Sequence, residues 1–257
     1  MTRSLPPLDL HAHVSPNTGA TDLERLGAVV FAATRTLDEY KSVKDRNDQV
    51  TIWGVGCHPG IAEAQSSYDP SKFAELISSS AYVSEVGLDG RSKVPMADQD
   101  RVFRSILTHL QETPRILSVH SSGATGRTLE ALETIRVKGA VLHWWRGTET
   151  QTKRALDLGC RFSVNAANMQ HVEDLVMIPL DRLLVETDHP SGDRSSSSPR
   201  QPGAIADVET ALARLHGTTT EKIRQQTWVN FSHLVDEVKV GALLPNPVQR
   251  MLSAARN

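Results

Sequence analysis

Eight short apolar, β-branched runs separated by longer amphipathic stretches constrain this chain more than any other feature. They fall at Leu8–Val14, Gly27–Ala33, Thr51–Cys57, Ala81–Val86, Ile116–Val119, Ala140–Leu142, Arg161–Val164 and Arg182–Val185. Helical patterns lie between them, among them Asp100–Glu112, Gly126–Arg136 and Thr148–Leu158, the last followed by Gly159 where a helix-ending glycine belongs. Strands alternating with helices argue for a parallel sheet, and eight of them close a (β/α)₈ TIM barrel, here one α/β domain over 1–257. An open doubly wound sheet would begin on a glycine-rich turn, whereas the first run here ends in histidines. After the eighth run, Ser191–Gln201 reads as a flexible loop. Helices are expected at Ile205–Leu215 and Thr220–Val238, and Pro245–Asn257 as a surface helix or a frayed tail.

Composition narrows the partners. Lys and Arg number 28 against 30 Asp and Glu, a net charge of −2, so no global positive field draws the protein onto long nucleic acid. A nucleic-acid substrate stays open, because bound metals add local positive charge that a residue count misses. The two cysteines, Cys57 and Cys160, form no C-x-x-C pair, and Cys57 is expected in the core. Met1–Pro7 lacks the apolar core of a signal peptide, and no apolar run approaches the ~20 residues of a membrane span. No membrane association and a cytoplasmic location are therefore expected.

The chemistry sits at the strand ends. In Leu8-Asp9-Leu10-His11-Ala12-His13, strict alternation puts Asp9, His11 and His13 on one face. Glu85 closes the fourth run, His120 the fifth and His143 the sixth, and Asp188 follows the eighth. Singly, each could be a hydrogen-bonded histidine or a capping acid. Together they place only His, Glu and Asp on the one rim of a barrel that carries catalysis. Imidazole with carboxylate and no thiolate suits Zn²⁺, Mn²⁺ or Fe²⁺. Six ligands exceed the needs of one tetrahedral ion, so two divalent ions with a bridging carboxylate are expected, a pair that can activate water. His58, in Gly56-Cys57-His58-Pro59, would be a seventh ligand and is read as a substrate-binding or proton-transfer residue. The plainer alternative is a histidine stabilising its turn. Trp144 and Trp145 are candidates for stacking on a base or sugar, with core packing the plainer alternative. His189 is a weaker site candidate, and His109, His171 and His216 look like surface positions.

The ordered set D-L-H-A-H, G-C-H-P, S-E-V-G-L-D, a histidine closing run five, H-W-W-R-G and E-T-D-H-P resembles the TatD family. It extends to Trp228-Val229-Asn230-Phe231, similar to that family's N-F signature, so the resemblance runs from Leu8 to Leu234. It implies a metallo-dependent hydrolase barrel acting as a divalent-metal-dependent DNase with exonuclease character. One metal (Mg²⁺, Mn²⁺ or Zn²⁺) would be held by His11, His13 and Asp188, and the other by His120 and His143. Glu85 would bridge both, Asp188 would serve as ligand and general base, and His58 would meet the substrate phosphate. DNA, as short or single-stranded ends, is the implied partner. Departures from the family pattern are Ser84 where a glycine is usual, Gly90 where an aromatic is common, and a serine-rich Asp193–Pro202 in place of R-x-x-N-x-P. L-H-W-W-R-G, L-G-C-R-F-S-V-N and E-T-D-H-P are similar to TatD-like members of Qat-type anti-phage clusters, which would add other defence proteins as partners. Two alternatives are a small-molecule or aminoacyl-ester hydrolase and a nuclease-like subunit of a larger complex. Lactonase-type barrels often bridge their metals with a modified lysine, but Glu85 holds that place and Lys93 lies too far on.

Overall fold

The computed structural model describes residues 5–256; the expectations placed on residues 1–4 and 257 lie outside the described residues. Eight strands pair in sequence order, every neighbour parallel. They are β1 (Leu8–Ala12), β2 (Val29–Ala33), β3 (Thr51–Gly56), β4 (Tyr82–Gly87), β5 (Ile116–His120), β6 (Ala140–Leu142), β7 (Arg161–Val164) and β8 (Leu183–Val185). Each lies within two residues of the expected run at either end. At the rim the seam is closed by Asp188 N–H donating to His11 O at 2.8 Å and His13 N–H to His189 O at 2.9 Å. The result is the expected (β/α)₈ TIM barrel.

Helices α1 (Ala20–Arg25), α2 (Leu37–Val43), α3 (Ala62–Ser66), α4 (Pro70–Ile77), α5 (Met96–Glu112), α6 (Thr125–Thr134) and α7 (Glu149–Asp157) lie between the strands, and α8 (Ala206–Leu215), α9 (Thr220–Val238) and α10 (Asn246–Ala255) follow the last of them. α5 starts a turn earlier than its apolar periodicity suggests, because Pro95 enters it with φ −55° and ψ 132° and the first turn buries only Gln99. One apolar layer lies between strands and helices, with Val30, Val83, Leu117 and Phe162 from the sheet. A second fills the strand starts, where Leu8, Phe31, Tyr82 and Leu184 meet Trp228, Phe231 and Leu234 of α9. α9 therefore plugs the end of the barrel opposite the rim. Each large side chain buried there contributes about 1.5–3 kcal/mol.

This plug accounts for the N-F signature. Asn230 Nδ2 donates to Leu180 O and Leu183 O, both at 2.7 Å, tying α9 to the start of β8. The C-terminal tail is neither frayed nor peripheral over its helix. α10 buries Val248, Leu252 and Ala255, and Gln225 Nε2 donates to Ala255 O at 2.9 Å. No helix among the described residues is long and apolar enough to cross a membrane.

Candidate metal centre

Two irregular strands aim the site. Asp9 pairs with Val30 but Ala12 with Ala32, so β1 carries one more residue than β2 here. Likewise Val83 pairs with Leu117 but Val86 with Val119, leaving an extra residue in β4 at Ser84-Glu85. An inserted residue reverses the alternation of faces beyond it, and such bulges commonly re-aim a side chain beside an active site. The expectation that Asp9 shares a face with His11 and His13 fails for this reason. Asp9 points away from the rim centre and accepts from Thr187 N at 2.8 Å, Thr187 Oγ1 at 2.6 Å and Gly203 N at 2.8 Å, as a latch across the β8–β1 seam. Burial outweighs these hydrogen bonds and pushes its carboxyl up to about 6.

Three rim residues hold the left-handed backbone that non-glycine residues rarely adopt: Glu85 and Trp144 with φ 43° and Asp188 with φ 44°. Such conformations cost of order 1–3 kcal/mol each and persist where the surroundings enforce them. Asp188 is pinned on both sides: its N–H donates to His11 O, and its carbonyl accepts from Ser191 and Gly192 at 2.8 and 2.7 Å. Trp144 N–H donates to Glu186 Oε1 at 2.8 Å.

The structure brings the five other expected ligands, and His58, around Glu85. Glu85 Oε2 faces His13 Nε2 at 3.0 Å and His11 Nε2 at 3.9 Å, and both rings also face Asp188 Oδ1, at 3.7 and 3.9 Å. Glu85 Oε1 faces His58 Nε2 at 3.1 Å, His120 Nδ1 at 3.5 Å and His143 Nε2 at 4.0 Å. One buried carboxylate thus stands between two nitrogen sets. Three groupings have ligand atoms within 4.8 Å of one another: His11, His13 and Asp188; His11, Glu85 and His143; His58, Glu85 and His120.

Unsatisfied atoms test whether cations fit. His11 Nε2 is buried with no hydrogen-bond partner, and Glu85 Oε2 receives no well-aligned hydrogen bond. An orphaned buried polar atom costs about 1–3 kcal/mol, which coordination would remove. The ring orientations agree. His13 Nδ1 lies 3.1 Å from Ala33 O, which only accepts, so Nδ1 carries a proton and Nε2, 3.0 Å from Glu85 Oε2, is the nitrogen left to face a cation. Burial opposes a charge on this ring, but Glu85 prevails and raises it above its ordinary value. His11 Nδ1 is met by Ser118 Oγ at 2.8 Å and Tyr82 Oη at 3.2 Å, which fix the ring from behind.

His58 is turned the other way. Gly60 N–H donates to its Nδ1 at 2.8 Å, so the neutral ring carries its proton on Nε2. That nitrogen is then a donor toward Glu85, without a lone pair for a metal.

Charge points in the same direction. Burial pushes the Asp188 carboxyl well above its ordinary range, reinforced by Glu186, Glu85, Asp9 and Asp193 around it. Burial also raises Glu85, but His13, His120 and His58 together outweigh it and hold the group well below the usual carboxylate range. Burial, helped by His143, holds His11 well below its ordinary value and so in the ligating neutral form. Burial opposes a charge on His120, but Asp89 and Glu85 prevail and raise it to about 9. A cluster that crowds acids until one must take a proton is relieved by bound cations.

Several supporting residues escaped sequence reasoning. Glu186, fully buried, accepts from Ser163 Oγ, from Asn165 Nδ2 at 3.2 Å and from Trp144 N–H, and stands 3.7 Å from His143 Nδ1. Asp89 Oδ2 lies 3.5 Å from His120 Nε2. Both stand inside motifs singled out above, and that is the signal that could have found them. Asp193 carried no such signal: buried, it binds His189 Nδ1 at 2.6 Å and accepts from Arg200 Nε at 3.4 Å, so the loop expected to be flexible is tied to the rim. His189 is thereby engaged away from the ligand groupings. Trp145 departs from the stacking expectation. It is buried, packs against Phe162 and donates to Thr152 Oγ1 at 3.0 Å, while Trp144 lines the cavity beside His143. Cys57 is buried as expected, its thiol pushed up to about 12 by burial.

A parallel eight-stranded barrel whose rim gathers histidines and carboxylates around one central glutamate defines a metal-dependent hydrolase. The TatD-related DNase family model matches residues 8–236, and the chain belongs to that family. It is 30% identical over 225 residues to an uncharacterised metal-dependent hydrolase of Escherichia coli, YcfH, covering 79% of this chain and 82% of that one. It is 26% identical over 192 residues to the Klebsiella pneumoniae 3′-5′ ssDNA/RNA exonuclease TatD, covering 69% and 71%. Among solved structures, the Escherichia coli TatD homologue YJJV superposes with a TM-score of 0.78 at 21% identity, over 88% of this chain and 96% of that one, a likeness of fold.

Proposed function

We propose that this chain hydrolyses phosphodiester bonds at the ends of single-stranded DNA, using two divalent ions. The observation that carries the reading is Glu85, whose two oxygens each face a separate set of imidazoles inside one buried rim. His11, His13 and Asp188 would hold one ion, His120 and His143 the other, with Glu85 shared. Bound there, divalent ions activate water and offset charge developing on the phosphate oxygens.

The chain's own groups do the rest. Asp188, held by three backbone hydrogen bonds, is the group read as taking the proton of the attacking water. His58 presents Nε2–H beside Glu85, where it donates to a phosphate oxygen as charge builds. Trp144, its backbone set by Glu186, walls the approach. The single-strand preference is supported by the Klebsiella relative, named for ssDNA and RNA. Action within an anti-phage cluster, alongside its other proteins, rests on the three short segments given above. The test pairs metal analysis with cleavage of labelled single- and double-stranded DNA. Two equivalents of metal and metal-dependent cutting of the single strand are expected; a chain that binds two ions and cuts neither substrate overturns the reading.

A further inference from the structure

Beside the centre, toward the loops after β4, β5 and β6, lies a cavity of about 480 Å³. His120 and His143 form part of its floor, and Arg91, Arg146, Ser122 and Trp144 are among its walls. Pockets of roughly 300–1,000 Å³ take one small molecule, so this space admits a single nucleotide and no run of them. The two arginines are its most informative feature. Both are exposed, and neither guanidinium is engaged in an ion pair or hydrogen bond among the described residues. By contrast Arg46, Arg161 and Arg224 are each committed to a carboxylate. Arg91 is carried on the turn after β4, where its own N–H donates to Asp89 Oδ1 at 2.8 Å, and Arg146 follows Trp144 in the loop after β6. They rise from different loops, with the ligand-bearing floor between them.

A guanidinium fork suits phosphate oxygens, and the Trp144 indole suits the face of a base. Resting on the phosphodiesterase reading above, we infer that this cavity is a subsite for one terminal nucleotide bearing a second phosphate, held by Arg91 and Arg146. The nucleotide's inner phosphate lies at the centre and its outer phosphate at the arginines. The favoured substrate is therefore a strand end that carries a terminal phosphate, not one that ends in a hydroxyl.

The test separates this subsite from the chemistry. Calorimetry on metal-loaded protein compares deoxyadenosine 3′,5′-bisphosphate with the two deoxyadenosine monophosphates. Hydrogen bonds to charged groups imply that the bisphosphate binds at least about 10-fold tighter than either monophosphate. In the Arg91→Gln/Arg146→Gln double variant that ratio should fall to near one, with metal content and Tm unchanged, since both side chains are exposed. A ratio near one in the unaltered protein, or a ratio that survives the double substitution, overturns the inference. A second arm measures kcat/KM on single strands ending in 5′-phosphate, 3′-phosphate or hydroxyl. One phosphorylated end should be preferred, and the preference should vanish in the double variant. If no strand is cut, the phosphodiesterase reading fails while calorimetry still decides the subsite.

Discussion

Asn230→Asp isolates the role of the N-F signature at the closed end of the barrel. The substitution keeps the shape of the side chain but replaces the NH₂ that donates to Leu180 O and Leu183 O, both at 2.7 Å. An ionised carboxylate there would face two carbonyl oxygens in a position 1% exposed. The group instead takes a proton and restores one of the two donors. Holding that proton at pH 7, against an ordinary Asp pKa of about 3.9, costs about 4 kcal/mol, and the missing hydrogen bond adds about 1 kcal/mol. At pH 5 the protonation cost falls to about 1.5 kcal/mol. The sign follows from linkage: the folded variant binds a proton that the unfolded chain has released, so its stability falls as pH rises. At roughly 2–4 °C per kcal/mol, Tm should lie about 10–20 °C below wild type at pH 7 and about 5–10 °C below at pH 5. Calorimetric scans in chelator at the two pH values measure this without interference from ions bound to the native state. Below the transition, kcat/KM with metal restored should match wild type. An equal Tm deficit at both pH values, or lost activity with unchanged Tm, refutes the structural role of Asn230.

Glu85→Gln should abolish activity and lower metal content, because a neutral amide cannot bridge two cations; two retained ions with normal turnover would show the centre is misassigned. His58→Ala should keep its metal and lose about 10²–10³ in kcat/KM, the scale for removing one transition-state donor, whereas loss of a metal equivalent would make His58 a ligand. A linear single strand should be degraded and a covalently closed circle of the same sequence spared; equal cleavage of both would point to an endonuclease. With two or three phosphates engaged, log K should fall against log salt with a slope of about −1.4 to −2.1, and a much steeper slope would mean a longer binding track.

Much of this site is legible in the sequence, because a parallel barrel constrains where chemistry can stand. Strand ends converge on one rim, so His11, His13, Glu85, His120, His143 and Asp188 could be grouped from sequence order alone. Irregular strands and unlike fates of adjacent residues leave no such mark in the sequence. Asp9 left the face of His11 because β1 carries an extra residue, and alternation cannot survive an insertion it does not announce. Trp144 and Trp145 are adjacent and chemically identical, yet one lines the cavity and the other is core. The φ of 43° at Trp144, set by Glu186, turns the chain between them. Asp193 sits in a run of polar loop residues, where nothing distinguishes the acid that will bind His189 and Arg200 from one that faces water.

The sequence by itself determined the inventory and its order: eight apolar runs, and a set of imidazoles and carboxylates at their ends, one glutamate among them. Hydrophobic periodicity and ligand chemistry are local properties that a linear chain records. Only the tertiary structure decided which atoms face one another. The two bulges aim His11 and Glu85 into the same space, Gly60 holds the His58 proton away from its own turn and toward Glu85, and distant loops carry Arg91 and Arg146 to the walls of one cavity. These outcomes depend on register, backbone torsion and through-space distance, which are set jointly by segments far apart in the chain.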